Sequence, residues 1–230
     1  MRGLVLHLKF LLTLIGSRCS KYQLRQIQAA VNYLRLGRWM VDRNFHFEQR
    51  LRDRTAVFDR VASRMRDKRV LYLEFGVYQG ATMRYWSRQL RNPEAKLHGF
   101  DSFEGLPEDW GPHAKGHFDT GGAVPKIDDV RVKFFKGWFD QVLPQYSVPE
   151  DDALVIVMDA DLYSSTIYVL RHLRPYVRPG TCIYFDEMNE IDHEPKAFEE
   201  FMEESRLRFR LVSANRSLSG VFFECYEAPK

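Results

Sequence analysis

From residue 70 onward the chain alternates two hydrophobic patterns. Short, largely apolar runs occupy 70–75, 96–100, 132–135, 153–158 and 181–185, and these read as strands buried on both faces. Between them apolar residues recur every three or four positions. Examples are Ala81, Met83, Trp86 and Leu90, a short stretch through 138–143, a longer one over 165–177, and the group Ala197, Phe198, Phe201 and Met202. These read as helices lying on the sheet. Pro179-Gly180 stops one helix and starts the next strand. The closing runs 208–212 and 220–226, around 214–219, read as an antiparallel hairpin. Strands alternating with helices predict an α/β domain with a largely parallel sheet.

Upstream the pattern is wholly helical. Leu24, Ile27, Ala30, Val31 and Leu34, then Phe47, Leu51, Val57 and Val61, recur near helical spacing with arginines between them. No Gly- or Pro-rich linker separates this part from the rest. We therefore expect an N-terminal helical cap, residues 1–66, folded onto a body of residues 67–230. Residues 3–15 are mostly apolar, interrupted by His7 and Lys9, and too short for the roughly 20 residues that span a bilayer. They lack a small-x-small cleavage pattern and read as a packing or interfacial helix. The stretch 106–130 is Gly/Pro-rich without a period, and it contains Trp110, His113, Lys115, His117 and Phe118. Long loops of this kind often serve as lids.

Composition adds two points. The 230 residues are 45% apolar, with 14 Gly and 10 Pro, which is ordinary for a globular protein. The net charge of +3 hides an asymmetry: residues 1–70 hold 16 Lys+Arg against 5 Asp+Glu, and the remainder 18 against 26. A basic front half can offset an acidic body as a solvated helical face, or dock on an acidic partner, a membrane surface or nucleic acid. Cys19, Cys182 and Cys225 form no C-x-x-C pair, which suits inert thiols in a reducing, cytoplasmic setting.

The chemistry gathers where strands end. Leu-Tyr-Leu-Glu-Phe-Gly-Val-Tyr-Gln-Gly over 71–80 puts Glu74, Gly76 and Gly80 after the first strand, and Asp101 closes the second. Ligands of doubly wound sheets bind beyond such ends. Only two glycines stand where a dinucleotide fingerprint needs three, and an acid precedes them, so a phosphate is disfavoured. S-adenosylmethionine, with sulfonium, ammonium and ribose, suits the layout. Glu74 and Gly76 are expected by its methionine moiety, with Gly80 allowing close helix packing. Asp101 is expected on the ribose hydroxyls, and Ser102 and Phe103 beside the nucleoside. Asp159, Asp186 and Glu187 end neighbouring strands, and three hard oxygen donors on one rim suit Mg²⁺. Such an ion, with Asp159 among its ligands, would acidify an acceptor hydroxyl. Asp161 is expected to cap the helix that follows it. His193 is the first candidate for a catalytic base, with His113 and His117 as rivals.

The segments LEFGVYQG, GFDSFEGLPEDW, KGWFDQVLP, MDADLYSST, PGTCIYFDE and EPKAFEEF stand in one order along 71–201. Together they closely resemble the macrocin O-methyltransferase type of S-adenosylmethionine-dependent methyltransferases. The resemblance implies a class I methyltransferase (Rossmann-like) fold with seven strands in the order 3-2-1-4-5-7-6. It also implies metal ligands at the strand ends named above, Trp138 near the adenine edge, and a sugar hydroxyl as acceptor. Glu187 departs from the Asp or Asn frequent at its position, which alters its reach to an ion. Partners expected are a small-molecule hydroxyl acceptor, no nucleic acid, contact of the basic N-terminus with a membrane surface, and a second copy of the chain. Two other readings stay open: a metal-dependent glycosyltransferase using Asp159 and Asp161, and a non-enzymatic scaffold.

Overall fold

A computed structural model describes residues 2–46 and 50–229. Phe47, one of the apolar positions noted above, lies outside the described residues. The helices are α1 (Arg2–Gly16), α2 (Lys21–Asp42), α3 (Arg54–Met65), α4 (Ala81–Gln89), α5 (Phe139–Val142), α6 (Tyr163–Leu173) and α7 (Glu194–Ser205). The strands are β1 (Val70–Phe75), β2 (Lys96–Asp101), β3 (Val132–Lys136), β4 (Ala153–Met158), β5 (Cys182–Phe185), β6 (Arg208–Ala214) and β7 (Val221–Glu227). All seven strands form one sheet in the order β3-β2-β1-β4-β5-β7-β6. Pairing is parallel from β3 to β5 and antiparallel at β7 and β6. This is the order the family resemblance implied.

Side chains alternate across the sheet, so one strand feeds two cores. Leu71, Leu73 and Phe75 of β1 join Ile167, Leu170, Phe198 and Phe201 on one face. Val70 and Tyr72 join Val57, Phe58, Val61, Met65 and Trp86 on the other. Helix α3 is thereby a full member of the second layer. Helix α6 ends earlier than its apolar spacing suggested, because Pro175 cannot supply the next helical N–H, and a 3₁₀ turn at Arg174–Tyr176 follows.

The charge asymmetry partly resolves along α2. Ser20 caps it in a reciprocal pair with Gln23. Arg35 binds Asp192 bidentately, Arg43 pairs with Glu199 and Glu203, and the Trp39 indole N–H donates to Glu199 at 2.6 Å. The buried positions of α2 are Asn32, Leu36 and Met40. The stripe read from the sequence, Leu24, Ile27, Val31 and Leu34, points instead to solvent. Every residue from Gly3 to Ile15 of α1 is exposed. Among the described residues no helix is long and apolar enough to cross a membrane.

Candidate active site

Parallel register brings the carboxyl ends of β1, β4 and β5 to one edge: Phe75 lies beside Met158, and Met158 beside Phe185. The residues that follow are therefore neighbours. The Asp159 N–H donates to the Phe75 carbonyl at 2.9 Å, and the Asp186 N–H to the Met158 carbonyl at 3.2 Å. Gly76, at φ +86°, passes so close to β4 that a Cβ would sit 1.8 Å from the Asp159 carbonyl oxygen. Only glycine fits there.

Asp101 closes β2 and ties two loops together. Its Oδ2 accepts the N–H groups of Val77 and Tyr78, each at 2.8 Å, and its Oδ1 accepts that of Phe103 at 2.7 Å. A carboxylate has about four lone-pair sites, so Asp101 keeps room for a ligand hydroxyl. It opens onto a cleft of about 780 Å³, a volume typical of small-molecule sites. Gly76, Ser102, Trp138, Asp159, Asp186 and Glu187 share its walls.

Four expected residues stand apart from those walls. Glu74 is buried beneath them and accepts the Tyr72 hydroxyl at 2.7 Å. Burial, above all, pushes its carboxyl up to about 8. Gly80 starts α4 with φ +75° and faces Pro125 across the loop 106–130. Phe103 is buried with a left-handed backbone, φ 58°. His193 precedes α7, its Nδ1 accepting the Tyr163 N–H at 3.4 Å and its ring meeting the edge of Trp110 at 6.4 Å.

Two residues that sequence reasoning did not assign to the site sit at its centre. Arg54, from the first turn of α3, places Nη2 2.7 Å from Asp159 Oδ2 and Nε 3.4 Å from Asp186 Oδ1. Its guanidinium carbon lies over the rings of Phe58 and Tyr184, at 5.3 and 5.4 Å. The Tyr184 hydroxyl donates to Asp186 at 2.5 Å. Burial alone would lower the Arg54 pKa, but the Asp159 and Asp186 charges outweigh it and hold the guanidinium protonated. Asp159 itself is raised by burial and then by Asp186, with Arg54 opposing.

Asp161 is the second. It does not cap α6: the cap position is Leu162, without a side-chain bond. Asp161 is instead a buried wall of the cleft with a left-handed backbone at φ 59°. Burial, then the charges of Asp159, Asp186 and Asp101, push its carboxyl up to about 8. Glu187 is likewise pushed up to about 8, by burial and then by Asp186, Asp161 and Asp159. Its N–H donates to the buried Glu194 at 2.9 Å. The Asp-Ala-Asp spacing at 159–161 was the one sequence signal for Asp161 in the cleft; nothing marked Arg54 among the fifteen other Lys and Arg of residues 1–70.

The donors at the rim have the right chemistry for Mg²⁺, but their arrangement does not fit it. Asp159 and Asp186 are engaged with Arg54, and among the described residues no group of three His, Cys, Asp or Glu side chains could hold a metal ion.

The segment 106–130 covers one side of the cleft. Leu106 exchanges backbone bonds with Gly116 and His117, and Trp110 with His113, each at 2.8–2.9 Å. Its Glu108 accepts the Ser164 hydroxyl of α6 at 2.8 Å. Trp110 stacks on His113, and Phe118 meets Tyr78 edge-on.

An open seven-stranded sheet of this order, with acids at its strand ends around one cleft, has the class I methyltransferase architecture. Residues 73–188, half of the chain, match the family described as Methyltransferase domain, and the chain belongs to that family. A tetracenomycin-type 4'-O-methyltransferase of Streptomyces olivaceus is 30% identical over 136 residues, covering 50% of this chain and 51% of that protein. The demethyldecarbamoylnovobiocin O-methyltransferase of Streptomyces niveus is 31% identical over 96 residues, 42% of this chain and 35% of that one. The chain thus spans about half the length, or less, of these curated relatives. Among solved structures, the O-methyltransferase NovP superposes with a TM-score of 0.55 at 25% identity, over 76% of this chain and 78% of its own. The calicheamicin methyltransferase CalS11 gives 0.53 at 21%, over 74% and 76%.

Proposed function

We propose that this chain transfers a methyl group from S-adenosylmethionine to a hydroxyl oxygen of a small polyhydroxylated acceptor, such as a sugar of a natural product. The observation that carries this reading is the wiring of Asp101. The amides of Val77 and Tyr78, which in a dinucleotide site would face a pyrophosphate, are already taken by its carboxylate. That disfavours nucleotide sugars and NAD alike, and with them the glycosyltransferase reading. A cleft walled by Asp101, Asp159, Asp161, Asp186 and Glu187 suits a ligand with cationic groups and a ribose. Family membership and the O-methyltransferase names of the relatives support the same class of reaction.

When bound, S-adenosylmethionine supplies a methyl group already activated by its sulfonium. The chain then has to hold the acceptor in line, remove its proton and exclude water. Asp161 is our choice of base in place of His193, since it lines the cleft with a proton affinity matched to a working pH near 8. Arg54 holds Asp159 and Asp186 in place and opposes the upward push on Asp159. Trp110 and Phe118 of the covering segment, with Trp138, offer flat faces for a ring. In this reading residues 67–230 form the transfer domain and residues 1–66 a cap that lends it Arg54. Three free cysteines, with Cys182 pushed up to about 12 by burial, support a reducing, cytoplasmic setting.

Calorimetric titration tests the reading. S-adenosylmethionine should bind while NAD and nucleotide sugars do not, and Asp101→Ala should weaken it by about 1.5–3 kcal/mol, the loss of a hydrogen bond to a charged group. Unchanged affinity in that variant would remove Asp101 from the site. Turnover that persists in excess chelator is the expected result for a rim whose cation is Arg54. Its complete loss would restore the metal and require Arg54 to withdraw.

A further inference from the structure

Sixteen of the twenty-two exposed large hydrophobic side chains among the described residues fall between Leu4 and Val41. On α1 they include Leu4 at 78% and Phe10 at 70% exposure. On α2 the stripe Leu24, Ile27, Val31 and Leu34 faces away from the side that packs on the body. Exposed apolar area on this scale marks a surface that something covers. Charge says what kind. Residues 1–41 hold seven Lys and Arg and not one Asp or Glu. Within α2, Arg35 is paired with Asp192 of the body, while Lys9, Arg18, Lys21 and Arg25 lie along the exposed stretch.

We propose that α1 and the outer face of α2 dock this chain onto an anionic lipid bilayer, lying in its surface and not crossing it. Helix α1 has 15 residues, about 22 Å at 1.5 Å per residue, which is short of the roughly 30 Å hydrocarbon core. Its apolar residues surround most of the helix; Lys9 and Thr13 share one narrow polar side, and His7, on the opposite side, turns its Nδ1 to the Gly3 carbonyl at 2.8 Å. A short, mostly apolar helix with basic residues along and beyond it can bury leucines and phenylalanine below the headgroups while Lys9 and Arg18 stay at the phosphates. A second copy of the chain fits less well, because pairing two acid-free arms brings like charge onto like charge. The proposal does not depend on the methyl-transfer reading.

Flotation of the full-length chain with sealed vesicles tests it. Vesicles of phosphatidylcholine with about one-third phosphatidylglycerol should bind the chain at least tenfold more tightly than phosphatidylcholine alone, and the preference should shrink at high salt, as screening requires. The pair Leu8→Glu and Leu11→Glu should abolish flotation while leaving the melting temperature of the body unchanged. Lys9→Glu with Arg18→Glu should remove the preference for the anionic lipid. Absence of flotation would overturn the proposal. So would a dimer in sedimentation equilibrium that the Leu8/Leu11 pair dissociates while vesicle binding stays unaltered, for then a second copy covers the arm.

Discussion

The strand-end rim and the N-terminal arm break the ordinary burial rule in opposite directions. At the rim, Asp159, Asp161 and Asp186 have been drawn away from water; in α1, nine large apolar side chains have been left in it. The rim answers its own violation internally, through Arg54 and Tyr184. The arm has no such answer among the described residues. The first is therefore a device completed within the chain, and the second is a surface completed by something outside it.

The sharpest way to break the comparison is at Asp161. Asp161→Asn removes the proposed base without changing its volume, and turnover should fall by about 10²–10⁴-fold with S-adenosylmethionine binding retained. In the parent, the rate should rise with pH through about 8, where the Asp161 carboxyl loses its proton. Stability moves the other way. A carboxyl whose folded pKa is raised from 3.8 to about 8 favours folding at low pH, and that contribution is lost as pH rises through about 8. Thermal melts should therefore show Asp161→Asn stabilised relative to the parent at pH 9, with the gap narrowing steadily as pH falls and closing below about 3.8.

A smaller effect is expected at Arg54. Arg54→Met keeps the packing on Phe58 and Tyr184 but leaves Asp159 and Asp186 without their counter-charge. Its side chain is a third exposed, so the cost should be about 2 kcal/mol in denaturant unfolding near neutral pH, below that of a fully buried pair. Adding Asp186→Asn should recover part of it. If Arg54→Met is neutral, the rim is not held from within and the contrast with the arm fails.

The smallest effect belongs to the arm. Leu24→Ser with Ile27→Ser should alter unfolding by less than about 0.5 kcal/mol, as for surface positions away from packing. A loss of several kcal/mol would mean that the stripe is buried in the solution state.

The sheet was legible because its strands are short, largely apolar runs set between helical stretches, and Asp101, Asp159 and Asp186 because each directly ends one of them. Arg54 was not, since 105 residues separate it from Asp159 and it stands among many arginines. The face of α2 was read the wrong way round for a physical reason. Its packed side contains Asn32 and is flanked by Arg35 and Arg43, whose partners lie on α7 and the loop before it, so the buried side looks more polar than the exposed one. His193 drew attention as a histidine near strand-end acids, but where α7 begins decides its position, and that start leaves it off the cleft. The tuning of Asp161 comes from neighbours brought in by other strands, which a local motif does not display.

The place of Arg54 on α3 has a consequence for anyone recombining this enzyme fold. The segment that matches the methyltransferase family begins at residue 73, nineteen positions after the arginine, and Val57, Phe58 and Val61 are interior residues of the same layer as Trp86 and Tyr184. A chimaera spliced at the start of β1 would import the acids without their counter-ion and strip one face of the sheet. The workable graft carries α3 whole, with Arg54 and Phe58 four residues apart on the same turn-to-turn ridge, and accepts any foreign sequence only upstream of Asp53, the residue that caps it.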